Sequence, residues 1–224
     1  MTDAAPASVG STPSTGQKLL IALGATAMNA VLYLVPNHLQ LFPPRQLWWT
    51  PVDSAVPFLP GTVWIYFSDY LLVAVAFMLQ GSWPAVRRYV KTYFALLVVG
   101  AFIHLFWPTV FPREWFPLDG GSTSARALGT LRGVDAATSC MPSMHVAGSY
   151  LAAFALWRHR PAVFGAFLLW ATAVAASTLT TKQHYLVDIV AGLLLAAAIA
   201  AVFFWIPEPR GGQRSGWATA SSTR

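Results

Sequence analysis

The chain has 224 residues, of which 56% are hydrophobic and only 10% charged, and its formal net charge is +6 at neutral pH. An average soluble domain carries about 25% charged residues, so this composition excludes an ordinary water-soluble globule and indicates an all-α, polytopic membrane protein. The positive balance does not imply a nucleic-acid partner, because membrane proteins concentrate Lys and Arg in their cytoplasmic loops, and the single cysteine, Cys140, excludes an internal disulfide.

Residues 1–17 are polar and rich in Pro, Ser and Thr, and read as a disordered tail. The apolar run 19–35 follows; it is long for the hydrophobic region of a signal peptide and reads as a retained helix. A helix needs about 17–25 mostly apolar residues to cross a bilayer. Further runs at 62–80, 92–107, 143–157, 161–179 and 184–206 bring the expected number of spans to six. The third becomes long enough if it starts near Arg88, and the fourth is short unless it extends upstream into 136–141. Only Arg158, His159 and Arg160 separate the fourth from the fifth, which predicts a tight helical hairpin. The expectation is one six-helix transmembrane bundle over 18–206, followed by a disordered tail over 207–224.

The basic residues orient this bundle. With the N-terminus in the cytoplasm, the inside carries Lys18, Arg87, Arg88, Lys91, Arg158, Arg160, Arg210, Arg214 and Arg224, nine in all. The outside carries five: Arg45, Arg113, Arg126, Arg132 and Lys182. The excess predicts both termini in the cytoplasm, in a bacterial inner or plasma membrane.

In that topology the fourth and sixth spans both enter from the outer face. His145 opens the fourth, His184 and Asp188 open the sixth, and Arg113 follows the exit of the third. Ionisable groups at membrane depth are expensive and are functional candidates by default. His184 and Asp188 are four apart and share a helix face. A carboxylate one turn away fixes the imidazole tautomer and leaves the other nitrogen free as nucleophile or base. Gly192 continues that stripe and permits close packing. Before His145, Pro142 and Ser143 start a helix whose free N–H groups suit an anion. Arg113 offers a planar fork for phosphate oxygens, and Lys182 a point charge.

Taken singly, these residues have plainer explanations. A lone histidine near a helix end, such as His104 or His159, is more often a satisfied interfacial residue. Arg113 alone is a topology or snorkelling cation, and Arg45, Arg126 and Arg132 are equally well loop cations. Asp69, inside the second span, reads as a structural polar link. The joint pattern of PSxH, HxxxD and an upstream arginine is much harder to obtain by accident.

Pro142-Ser143-Met144-His145, and Ser177-Thr178 followed by His184 and Asp188, resemble the PSGH-like and SRxxxxxHxxxD-like motifs of the type 2 phosphatidic acid phosphatase superfamily, which includes haloperoxidases. The resemblance covers about residues 50–206. Thr178 stands where that pattern has arginine and Met144 where it has glycine, and Phe111-Pro112-Arg113 is the nearest substitute for the first motif. With the segment Asp53–Pro60, the pattern is similar to the branch of fungal inositol phosphorylceramide synthase and its bacterial relatives. The resemblance implies that His184 attacks phosphorus to form a phosphohistidine, that Asp188 holds it, and that His145 protonates the leaving oxygen and then activates water or an alcohol. Arg113, Ser143 and Lys182 bind the phosphoryl oxygens, with no metal and no cofactor.

The expected function is therefore a lipid phosphate phosphatase with its site on the extracytoplasmic side, or a lipid head-group phosphotransferase using the same residues. A metal enzyme with His145, His184 and Asp188 as ligands, a non-catalytic transporter with a proton-relay pair, and a serine protease built on Ser143 are weaker readings. Neither the identity of the lipid nor the oligomeric state follows from the sequence.

Overall fold

The computed structural model describes residues 12–158 and 160–205. Residues 1–11 of the expected N-terminal tail, the tail over 207–224 and His159 lie outside the described residues. Eight α-helices follow in order: α1 Thr15–His38, α2 Pro51–Ala55, α3 Val63–Met78, α4 Trp83–Phe106, α5 Thr123–Val134, α6 Met144–Phe154, α7 Pro161–Thr180 and α8 Leu186–Ala200, the last continuing as a π-turn over Ala201–Trp205.

Five segments are long and apolar enough to cross a membrane: Thr15–His38, Pro60–Met78, Trp83–Phe106, Pro161–Thr180 and Leu186–Trp205. The fourth apolar run forms only the 11-residue α6, about 16 Å at 1.5 Å per residue. Eight of its residues are buried, because α3, α7, α8 and α4 pack around it. Its hydropathy therefore reflects burial inside the bundle rather than contact with lipid. The helix α4 starts at Trp83, well before the apolar run, with Ser82 Oγ accepting from Ala85 N and Pro84 in the first turn. Arg87, Arg88 and Lys91 lie in those early turns, where long side chains reach water while their stems stay on the helix. A capping box at Ser14 and Gln17 starts α1 within the stretch expected to be tail.

Helices α1, α3, α4, α6, α7 and α8 run alternately up and down the bundle. Lys18 Nζ at the start of α1 donates to the carbonyls of Met78 (2.8 Å) and Gln80 (2.7 Å) at the end of α3. Ile21 and Phe204 pack against one core cluster that also holds Leu72, Phe77, Leu156 and Phe167. Both described chain ends thus lie at one end of the bundle, and the N-termini of α6 and α8 lie at the other. There, the loops before α3 and after α4 form a cap. A two-residue parallel pair, β1 (Arg45–Gln46) with β2 (Thr109–Val110), ties the loops together. Trp49, Phe111, Phe116 and Tyr185 fill the cap, with Trp49 stacked on Phe116 and set edge-on to Tyr185.

The closest helix approach is at Gly192 of α8. A Cβ built there would lie 2.6 Å from the Ser143 carbonyl oxygen and 3.4 Å from Ala147 N, both backbone atoms at the start of α6. Neither atom can rotate away. Gly192→Ala is expected to lower stability by about 1–3 kcal/mol through overpacking, measured as a lower unfolding midpoint in detergent. An unchanged midpoint would show that α6 and α8 can separate freely.

Candidate active site

The site is built where the first turns of α6 and α8 meet. Ser143 N donates to the Asp188 carbonyl oxygen at 3.1 Å, which locks the two helix starts together. Ser143 Oγ caps α6 by accepting from Val146 N at 3.5 Å. At α8, carboxylates satisfy the free N–H groups of the first turn: Asp188 Oδ2 accepts from Tyr185 N at 2.9 Å, and Asp53 Oδ1 accepts from Leu186 N at 2.7 Å.

His184 Nδ1 lies 3.2 Å from Asp188 Oδ2. The pair is buried, with side-chain exposures of 5% and 0%. With the Nδ1 proton directed to Asp188, Nε2 keeps a free lone pair. His145 is held from α3: its Nδ1 lies 3.0 Å from the Tyr66 hydroxyl, and the two rings are tilted at 4.2 Å between centroids. The His145 and His184 ring centroids are 6.3 Å apart. Tyr33 of α1 and Tyr70 of α3 stand edge-on to His145 at 6.4 and 6.0 Å. Sequence spacing does not reveal the Tyr66 contact, although Tyr66, Asp69 and Tyr70 form a visible i, i+3, i+4 polar stripe in an apolar span.

Arg113 is fixed by Asp135. Its Nη1 donates to the Asp135 carbonyl at 2.5 Å and its Nη2 to Asp135 Oδ2 at 2.9 Å. Asp135 is anchored in turn by the Tyr33 hydroxyl at 2.8 Å and Asn37 Nδ2 at 3.1 Å. Burial pulls the Arg113 pKa down, but Asp135, Cys140 and Tyr66 together raise it above the ordinary value, so the guanidinium stays charged. Arg132 lies beside it, donating from Nη1 to the Phe116 carbonyl at 2.8 Å. Burial and the neighbouring Arg113 lower its pKa to about 10, so it too is charged at neutral pH. Among the described residues, Arg113 Nε and Arg132 Nε and Nη2 are buried without a hydrogen-bond partner. The sequence ranks Arg132 no higher than a loop cation; its place beside Arg113 is tertiary information.

Lys182 is buried in the turn before α8, at a positive φ of 54°. Its Nζ donates to the Asp53 and Val56 carbonyls at 2.8 and 2.7 Å and sits 5.1 Å from the Phe116 ring. It fastens the cap loop, and two of its three ammonium protons are committed to that loop. Thr178, at the position of the family arginine, donates its hydroxyl to the Ala175 carbonyl at 2.7 Å within its own helix. Met144 packs onto Gly100 of α4. Among the remaining candidates, Arg126 of α5 bonds Gly121 and Thr123 at the start of its own helix, Arg45 lies over the Trp107 ring at 3.8 Å, and His104 contacts the Pro142 carbonyl at 3.1 Å.

Donor atoms of Cys140, His184 and Asp188 lie within 4.8 Å of one another, close enough to hold a metal ion by distance. Burial raises the Cys140 thiol pKa well above its ordinary value, and Asp188 raises it further.

A family model described as the PAP2 superfamily matches residues 32–202. No curated protein and no solved structure matches the chain. The matched stretch runs from the last turns of α1 past the end of α8 and includes His145, His184, Asp188, Arg113 and Arg132. This membrane protein belongs to the PAP2 superfamily, a family of phosphatase type.

Proposed function

We propose that the protein hydrolyses a lipid phosphate at the bundle end that carries the two histidines, through a phosphohistidine on His184, and that this end faces the extracytoplasmic side. The observation that carries this reading is the pair of neighbouring imidazoles, one held by Asp188 and the other by Tyr66, at the same end of the bundle as two partly buried guanidinium groups. His184 Nε2 attacks phosphorus and the ester P–O bond breaks. His145, with Nδ1–H directed to the Tyr66 oxygen, delivers a proton from Nε2 to the departing lipid oxygen. The same Nε2 then takes a proton from water, which attacks phosphorus, breaks the P–N bond and releases phosphate.

The unpartnered N–H groups of Arg113 and Arg132 hold the phosphoryl oxygens and stabilise the charge that builds up in transfer. Ser143 completes the anion site at the start of α6. Lys182 fastens the cap over it and adds to the positive field. The excess of basic residues at the opposite end supports the orientation.

The divergent residues Thr178 and Met144 and the segment Asp53–Pro60, whose first residue caps α8, favour a second reading. They are similar to the branch in which an alcohol replaces water as the acceptor. Incubating the purified protein in detergent with a panel of lipid phosphates, with and without lipid and polyol alcohols, tests both. Release of inorganic phosphate that strong chelators leave unchanged is expected. Formation of a new phosphodiester from a diphosphate or phosphodiester donor, without free phosphate, replaces the hydrolytic reading by transfer. No reaction with any lipid overturns both.

A further inference from the structure

A cavity of about 370 Å³ lies not at the histidines but deeper in the bundle, between α1, α3 and α4. Its walls include Ala22, Ala25, Val73, Ala74, Phe77 and Val90. A second, narrow cavity of about 30 Å³ reaches His145 and Met144 and shares Asn29, Asp69, Tyr70 and Tyr93 with the first. The two cavities are neighbours, sharing these four residues between the α1 wall and His145.

The shared residues are the unexpected part. A crevice that held only hydrocarbon would gain nothing from a carboxyl group at membrane depth, where an unpaired polar group costs several kcal/mol. Asp69 is 6% exposed. Its Oδ1 accepts from the Ser149 hydroxyl at 2.5 Å, and among the described residues its Oδ2 has no partner. The Asn29 amide and the Tyr93 hydroxyl make no side-chain hydrogen bond there either. The position is set by two successive contacts between α3 and α6: Tyr66 with His145, then Asp69 with Ser149, one helical turn deeper, about 5.4 Å.

We infer that the crevice between α1, α3 and α4 takes the apolar body of the lipid phosphate and that Asp69 binds a hydroxyl carried by that lipid within a few bonds of its phosphate ester. The inference rests on the lipid-phosphate reading and deepens it. A hydroxyl donates to a carboxylate and exchanges hydrogen bonds with a carboxylic acid, so it satisfies Asp69 in either protonation state. A lipid without that group covers Asp69 Oδ2 and leaves it without a partner, so the cost of the mismatch becomes selectivity.

The test compares two single-chain substrates that differ at one atom: hexadecylglycerol phosphate with its free secondary hydroxyl, and the deoxy analogue. The wild-type protein is expected to favour the hydroxylated lipid by at least about tenfold in kcat/KM. In Asp69→Leu, branched at Cγ like Asp and without a polar atom, the preference is expected to fall to about twofold or less. Ala74→Phe, which fills the crevice from an exposed wall position, provides a variant that does not disturb the Ser149 bond. It is expected to raise KM for the hexadecyl lipid about fivefold or more while leaving turnover of a short soluble phosphate monoester unchanged. Equal wild-type kcat/KM for the two lipids overturns the inference, as does an undiminished preference in Asp69→Leu or an Ala74→Phe defect shared by the short substrate. In each of those cases phosphate release that depends on His184 leaves the phosphatase reading standing. Absence of release from either lipid by the wild type overturns the phosphatase reading and this inference with it.

Discussion

Replacing His184 by alanine is expected to reduce phosphate release by at least about a thousandfold, with the fold retained. The size follows from the geometry. His184 is the only imidazole with a carboxylate directly behind it, at 3.2 Å, among the described residues, so under the proposed mechanism the alanine variant loses the attacking atom and not merely an orienting contact. His145 is not expected to take its place, because its Nδ1 is engaged with Tyr66 and the two ring centroids lie 6.3 Å apart. A phosphoramidate is labile in acid and stable in alkali. Quenched reactions with a radiolabelled lipid phosphate should therefore leave alkali-stable, acid-labile label on the wild type and none on His184→Ala. His145→Ala should retain the label longer, because water attack then lacks its base. Residual activity of His184→Ala within tenfold of wild type would remove the covalent mechanism.

Arg113→Ala is expected to produce the second large loss, about 10²–10³ in kcat/KM, the scale found when one preorganised charge-stabilising donor is removed. It should also destabilise the protein, by about 3–5 kcal/mol, because deleting one partner of a buried ion pair leaves the other charge uncompensated. The exposures of 11% and 9% for Arg113 and Asp135 place this pair in that class. Arg113→Lys separates the two effects. It keeps a positive charge against Asp135 and so restores most of the unfolding midpoint, but it lacks the Nε–H and the planar fork, so kcat/KM should stay low. Full recovery of activity in Arg113→Lys would show that Arg113 acts by charge alone. Full activity in Arg113→Ala would remove it from the phosphate site.

Much of the site is legible in the chain because the relevant relations are short-range. His184 and Asp188 face each other by helix periodicity, and Pro142-Ser143 marks a helix start whose cap the structure supplies from Ser143 Oγ. Gly192, on the same stripe, is the glycine whose Cβ would strike the α6 backbone. Hydropathy locates every apolar segment, yet it does not separate a helix wrapped in lipid from one wrapped in protein, since both are removed from water. For that reason the run at 143–157 looks like a span and is the short, enclosed α6.

The remaining features depend on partners far apart in sequence. Tyr66 meets His145 across 79 positions, Ser149 meets Asp69 across 80, and Lys182 reaches the Asp53 and Val56 carbonyls across 129 and 126. No periodicity encodes such pairings; packing of α3 on α6 and folding of the cap over α8 create them. Composition, the apolar segments and the facing histidine–aspartate pair were determined by the sequence itself, because each is a property of one segment. Which cations gather at the histidine end, which one fastens the cap, and where a polar crevice opens beside His145 were decided only when separate segments packed, because a side chain's chemistry is set by the atoms brought against it.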